Sequence, residues 1–422
     1  MKFDLSLDYA LSLDQKDELS SFRERFVFSD PGLIYMDGNS LGRLPHETLK
    51  RTDELIKEQW GDRLIRSWGD HWFEASVRLG EKIAQLIGAA KGQVAVSDST
   101  TVNLYKLAMS ALMLRPGRDK IVTDTLNFPS DLYMLQGCCR MLGGKYHLHM
   151  LEPADGMRVD TGAVLEAIDD GTALVTLSHV VFKSGYKYDA RAITAYAHQK
   201  GALVLWDLSH SVGAVPVDLD AWGADFAVGC TYKYLNGGPG SPAFLYVRAG
   251  LQEQAQSPIW GWFGERAPFN FELNYLPGAG IHKFLCGTPP VLSTLAMEPG
   301  LDLLLEAGIP RLRNKSIQLS TYLIDLFDAR LAPLGFSLGS PREAEWRGSH
   351  VSLRHPEGYR IDRALIEEMN VIPDFREPDN LRLGLTPLYT SFRDVWECVD
   401  RIQQVVVGQR HLRFSKSRQV VT

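Results

Sequence analysis

At 422 residues the chain is long enough for one large domain with an appendage, or for two domains, and far too long for a disulfide-stapled mini-protein. Its 45% apolar and 23% charged residues exclude global disorder. Forty-five Lys and Arg against 51 Asp and Glu leave a net charge of −6, so no broad positive surface exists for a phosphate backbone and nucleic acid is not an expected partner.

In chain order, the opening MKFDLSLDYALSLDQKDELS is broken by acids and lacks the apolar stretch of a secretory signal. The most apolar runs, at 173–181 and 202–206, stop well short of the ~18 residues needed to cross a bilayer. No membrane segment is predicted, and a cytoplasmic location is expected. Short β-branched or apolar runs then recur with room for a helix between them, the pattern of βαβ units in a mostly parallel sheet. Seven are predicted as strands: 93–96, 120–123, 145–150, 173–178, 202–207, 225–231 and 242–247. Several are apolar throughout, as strands covered on both faces are. The last two are joined by too few residues for a helix, which predicts a loop and an antiparallel final strand.

Between them, 102–114 and 191–200 read as amphipathic helices, the first ended by Arg115-Pro116-Gly117 and the second by Gly201. From 290 to 330 the chain reads as long helices. Beyond Gly335 it alternates strands (348–353, 380–385) with helices (361–369, 391–407). The predicted organisation is an N-terminal segment 1–50 lying across both domains, a large domain 51–310 and a small C-terminal α/β domain 311–422. Arg410, Arg413, Lys416 and Arg418 read as a solvated basic end. The five cysteines, Cys138, Cys139, Cys230, Cys286 and Cys398, are scattered and hold no CxxC pair, which argues against a disulfide framework and against a metal site.

In open parallel sheets, ligands bind beyond the carboxyl ends of the strands, so the polar residues after each run carry the search for a site. The first run leads into Ser97-Asp98-Ser99-Thr100-Thr101, hydroxyl residues ahead of a helix whose free N–H groups and dipole suit a phosphate. An ordinary N-cap has the same look. The second ends in Asn127-Phe128-Pro129-Ser130-Asp131, where Phe128 can stack on a flat ligand or simply fill the core. The fifth ends in Asp207-Leu208-Ser209-His210, an acid that needs a partner if buried and that helix capping would also explain. The sixth ends in Tyr232-Lys233-Tyr234-Leu235-Asn236 before Gly237-Gly238-Pro239-Gly240. Most lysines are solvated, but one sheltered there is a usable amine nucleophile. Phosphate turn, stacking aromatic, strand-end acid and lysine, in that order, are what pyridoxal phosphate requires of a protein.

Together with Tyr35-Met36-Asp37-Gly38-Asn39-Ser40-Leu41-Gly42, Gly261-Trp262-Phe263-Gly264 and Leu383-Gly384-Leu385-Thr386-Pro387-Leu388-Tyr389, these motifs make the whole chain resemble the fold-type-I pyridoxal-phosphate enzymes. Within the class-V aminotransferase-like superfamily it resembles the kynureninases. The resemblance implies an α/β fold with a mostly parallel seven-stranded sheet in a large cofactor-binding domain, a smaller C-terminal α/β domain, and a homodimer. It implies hydrolysis of L-kynurenine to anthranilate and L-alanine in tryptophan degradation, with 3-hydroxy-L-kynurenine as a substrate left open.

The same resemblance assigns residues. Lys233 would carry the Schiff base and move the substrate α-proton, and Asp207 would protonate the pyridine nitrogen. Phe128 would stack on the ring, and His210 would lie beside Asp207. Thr100, Thr101 and Tyr232 would hold the phosphate, with Ser130, Asp131 and Ser178 around the cofactor and Tyr232 as acid/base partner. Trp262 and Thr288 would reach the phosphate from the neighbouring subunit. Arg382 would clamp the substrate carboxylate, Asn39 and Ser40 would line the mouth, and Trp68, Asp70 and His71 would contact the aryl ketone. Cys286 falls in the phosphate region rather than in sulfur chemistry, and Tyr232 stands where cysteine desulfurases carry a histidine. An aminotransferase or desulfurase-like lyase, and a non-catalytic cofactor sensor on the same fold, are the alternatives at this point.

Overall fold

In the computed structural model of the protein, which describes residues 4–417, a short strand β1 (Ile34–Tyr35) precedes a series of seven. These are β2 (Val94–Val96), β3 (Lys120–Asp124), β4 (His147–Leu151), β5 (Thr172–Ser178), β6 (Leu203–Asp207), β7 (Phe226–Gly229) and β8 (Phe244–Val247). They form one sheet in the order β2-β8-β7-β6-β5-β3-β4, parallel except for β8, which runs antiparallel to both its neighbours. All seven predicted runs are present, and the final strand has the predicted direction. Two are shorter than the sequence pattern by more than one residue. β7 stops at Gly229 because the Cys230 N–H turns to the Ser209 hydroxyl at 3.1 Å, and β8 starts past Pro242, which has no N–H to give a ladder.

Alternate side chains on one strand enter different cores. Val204 and Trp206 of β6 pack in one apolar cluster, Leu203 and Leu205 in another on the opposite face. That is why these runs read as continuously apolar. The helix Thr100–Leu114 begins two residues before its apolar pattern does, because the Ser99 hydroxyl caps Val102 N at 3.3 Å.

The C-terminal part contains β9 (Ser337–Leu338), β10 (His350–Arg354), β11 (Val371–Ile372), β12 (Asp374–Arg376) and β13 (Asn380–Gly384). Four of them form an antiparallel sheet, β12-β13-β10-β9, backed by the helices Ile309–Arg330, Gly358–Glu368 and Phe392–Val407. Leu323, Phe327, Val351, Leu383, Val395 and Ile402 share a core there that is separate from the two around the large sheet. The N-terminal residues tie to both parts. β1 pairs in parallel with β11, and the Asp14 carboxylate accepts from Phe392 N at 2.7 Å and Arg393 N at 3.0 Å, capping the last long helix. Further on, Gly42 N donates to Tyr232 O at 2.8 Å, on the connection that follows β7 of the seven-stranded sheet.

All five cysteines are free, and among the described residues no helix is long and apolar enough to cross a membrane. The basic tail is paired rather than merely solvated: Arg413 lies 3.3 Å and Arg410 3.9 Å from Glu368, and Lys416 lies 2.9 Å from Glu357. Arg418 lies outside the described residues.

Candidate active site

The parallel strands bring their carboxyl ends to one edge, and a cavity of about 660 Å³ opens there. Ser178 and Asp207 end β5 and β6 side by side in register. The Asp207 carboxylate accepts from Ser209 N at 2.8 Å, a short turn that holds it toward the cavity. On β3, buried Asp124 accepts from the Tyr188 hydroxyl and from Leu126 N and Asn127 N at 2.9 and 2.8 Å. Asn127 in turn donates to Thr123 Oγ1 at 2.8 Å and accepts from Ser178 N. This network fixes the turn that carries Phe128. Pro129 then opens the helix Pro129–Met141 at a position where a missing N–H does no harm. Phe128 stands at the brim, 42% exposed and edge-on to Phe182 at 5.3 Å between centroids. Asp131, buried on the first helical turn, faces Asp207. Burial first and the Asp207 charge second push its carboxyl well above the ordinary range.

Lys233 lies on the connection from β7 to β8. That loop is held by Gly237 N donating to Thr231 O at 2.9 Å and by the Thr231 hydroxyl donating to Pro242 O at 2.6 Å. The N-terminal turn closes on it so tightly that a Cβ at Gly42 would come 2.4 Å from Lys233 O, which only glycine avoids. The Lys233 amine sits 2.9 Å from His210 Nε2, 5.9 Å from the centre of the Phe128 ring and 6.0 Å from that of Tyr232. Burial, then the Lys233 charge, depress the His210 imidazole well below its usual range, leaving a neutral ring that accepts from the ammonium. Its Nδ1 is buried without a partner. The neighbouring Cys230 thiol and then burial push the Tyr232 phenol upward, so it rests protonated, as a donor.

The third corner is the turn before the helix Thr100–Leu114, where Ser99, Thr100 and Thr101 line the cavity. Thr288 is outside it, in a separate hollow of about 110 Å³ shared with Asp98 and Gly287. Trp262 is also outside this chain's cavity, on a surface loop where its Nε1 donates to Pro268 O at 2.6 Å. Trp68, Asp70 and His71 line a third depression of about 470 Å³ with Phe269, so within one chain they do not meet Lys233.

The fourth side comes from the C-terminal sheet. Arg382 of β13, 1% exposed, donates through Nη1 to Phe182 O at 2.6 Å and through Nη2 to Ser40 Oγ at 2.8 Å, and pairs with Asp374, its cross-strand partner on β12. Arg376 lies 3.0 Å from the same carboxylate and also lines the cavity. Burial and then Asp374 push the nearby Asp37 and Asp362 carboxyls up to about 7. Ser40 is at the mouth as expected. Asn39 differs: it is fully buried behind the guanidinium, and the amide orientation that satisfies both groups puts its oxygen 2.8 Å from Arg382 Nε. The reason is Gly384, where a Cβ would lie 1.8 Å from the end of the Asn39 amide, so that only glycine admits that side chain beneath β13.

Sequence reasoning missed Asp374, Arg376 and Phe182. For the first two a signal existed, since charges two residues apart on a strand share a face. Phe182 had none.

A sequence model of the kynureninase C-terminal domain matches residues 312–402. A kynureninase of Pseudomonas fluorescens is 46% identical over 401 residues, 94% of each chain, and one of Burkholderia pseudomallei (strain 1106a) is 45% identical over 405, again 94% of each. Among solved structures, a cysteine desulfurase of Thermococcus onnurineus NA1 superposes with a TM-score of 0.76 at 20% identity, covering 89% of this chain and 95% of its own. The Escherichia coli cysteine desulfurase CsdA gives 0.77 at 18% identity, covering 94% and 98%. The fold is shared with the desulfurases, and by sequence the chain belongs to the kynureninase family.

Proposed function

We propose that the cavity binds pyridoxal phosphate and that the protein hydrolyses L-kynurenine to anthranilate and L-alanine, the activity named for its relatives. The residues fit the cofactor on grounds internal to the structure. Two buried acids, Asp207 and Asp131, meet at one end of the cavity, a buried His210 nitrogen lacks a partner, and hydroxyls gather at a helix N-terminus. A ring with a protonated nitrogen, a phenolic oxygen and a phosphate answers all three. The observation that carries the reading is the Lys233 amine, 2.9 Å from His210 and facing Phe128 inside the cavity that also holds Asp207.

When bound, pyridoxal phosphate supplies an electron sink for the carbanions this cleavage requires. Lys233 holds the cofactor and moves the proton at the substrate's α-carbon. His210, kept neutral, hydrogen-bonds the amine and fixes its position. Asp207 and Asp131 keep a proton on the ring nitrogen, and Phe128 covers one ring face and excludes water. Arg382 orients the α-carboxylate, and protonated Tyr232 delivers a proton to the β-carbon as alanine is formed. Steady-state assay should give equal anthranilate and alanine from kynurenine with no added keto acid. A requirement for a keto acid would assign the site to transamination instead.

The partner is a second copy of the chain. Trp260, Phe269, Phe271 and Leu273, between 56% and 99% exposed, cluster on the loop that carries Trp262, and a patch of this kind marks a protein interface. Trp262 and Thr288, outside their own chain's cavity, would serve the partner's. Sedimentation should therefore give twice the 47.2 kDa chain mass, and a monomer would remove both residues from the site. The small domain 311–422 brings Arg382 to the large domain 51–310 with segment 1–50 across them, and the five free cysteines suit a reducing cytoplasm.

A further inference from the structure

Lys106 lies inside the helix Thr100–Leu114 with none of its side chain exposed, and a lysine so buried is rare unless paired. Side chains on a helix lean toward its N-terminus. The Lys106 ammonium accordingly reaches back to Asp98 Oδ2 at 2.8 Å and to the Phe284 carbonyl at 2.6 Å. Asp98 precedes the helix in a left-handed conformation, φ 48°. It lines the main cavity beside Ser99, Thr100 and Thr101, and it lines the small hollow that contains Thr288. A carboxylate thus stands at the one corner of the cavity built for an anion, where its charge has the wrong sign. Burial, the largest single influence, would push that carboxyl up, but Lys106, the Ser97 hydroxyl and the Cys286 thiol together hold it below its usual range. The charge is therefore present and has to be cancelled locally.

We propose that Lys106 is a positioning residue for the cofactor phosphate: it cancels the Asp98 charge beside the Ser99–Thr101 turn and pins that turn to the segment running from Phe284 toward Thr288. This rests on the reading of the cavity as a pyridoxal-phosphate site. It gives the two cofactor corners of a dimer a common anchor, because the chain segment that Lys106 holds is the one that carries Thr288.

The test is titration of the full chain with pyridoxal phosphate, and in parallel with pyridoxal, which lacks the phosphate, followed by the absorbance of the lysine-bound chromophore. Lys106→Met keeps the length and removes the charge. It should weaken pyridoxal phosphate by about 30-fold while changing pyridoxal by less than about threefold. Asp98→Asn should bind pyridoxal phosphate no more weakly than the native chain, and the double variant should recover most of the loss. Equal weakening of both ligands in Lys106→Met, or a double variant no better than the single one, would assign Lys106 to folding alone and overturn the proposal. If Lys106→Met fails to fold, the Asp98→Asn arm decides, since a loss beyond about tenfold there contradicts an unfavourable Asp98 charge. If the native chain itself binds neither ligand, the cofactor reading falls and this proposal with it, a failure distinguishable by its place in the native arm.

Discussion

Lys233→Ala reduces turnover of kynurenine by about 10⁴-fold or more, while the melting temperature of the protein stays within a few degrees. The two halves of this expectation come from different features. The loop around Lys233 is held by backbone and threonine contacts, Gly237 to Thr231 and Thr231 to Pro242, none of which uses the lysine side chain. Its removal leaves a His210 that is already neutral, and Asp207 keeps its hydrogen bond from Ser209 N. What is lost is the amine that both holds the cofactor and moves the α-proton, and no second lysine lines the cavity. Reduction of the native protein with borohydride should fix the chromophore on Lys233, and the Ala variant should retain none covalently. Activity above about 1% of native, or a label on another lysine, would contradict the assignment.

The large sheet was legible because its inner strands are covered on both faces. Leu203 through Trp206 are apolar at every position since adjacent residues enter different cores, and the run 173–177 is interrupted only by buried Thr176. The direction of β8 was legible for a separate reason, the short Lys233 connection. The small strands were not. Asp374-Phe375-Arg376 is three residues long and two of them are charged, so no hydrophobic period exists to detect. Its place is fixed by pairing with β13, a contact between residues that are near in sequence but whose register the sequence does not encode.

The site divides in the same way. Asp207, Phe128, Ser130, Asp131, Thr100, Thr101 and Lys233 follow strand ends, and a parallel sheet must bring strand ends to one edge, so they line one cavity. Ser178 ends β5 and meets Asp207 by register alone. Asn39 was misplaced because the mouth and the wall behind Arg382 are adjacent residues of one turn, and the choice between them depends on the space left by Gly384, 345 positions away. Lys106 was passed over because a lone lysine in an apolar helix reads as a snorkelling side chain. Only the burial of its amine shows otherwise.

Arg382 is the residue for which stability and catalysis should separate most clearly. Its guanidinium is already committed to Phe182 O, Ser40 Oγ, Asn39 and Asp374. A guanidinium has five N–H donors, and these contacts leave the second N–H of Nη1 for the substrate carboxylate, with Ser40 at the mouth the contact that yields for a bidentate pairing. Arg382→Lys keeps the charge but loses the planar fork, and KM should rise about 100-fold, the worth of a charged hydrogen bond of ~2.7 kcal/mol. Arg382→Leu should cost stability as well, by about 1–3 kcal/mol, because the Asp374 carboxylate, sealed from water, then keeps only Arg376 as an ionic partner. Adding Asp374→Asn to Arg382→Leu should restore most of the stability and none of the activity. Denaturant unfolding measures the first quantity and initial rates the second. If the double variant regained neither, the buried pair would not be the source of the loss; if it regained activity, Arg382 would not be the group that receives the substrate.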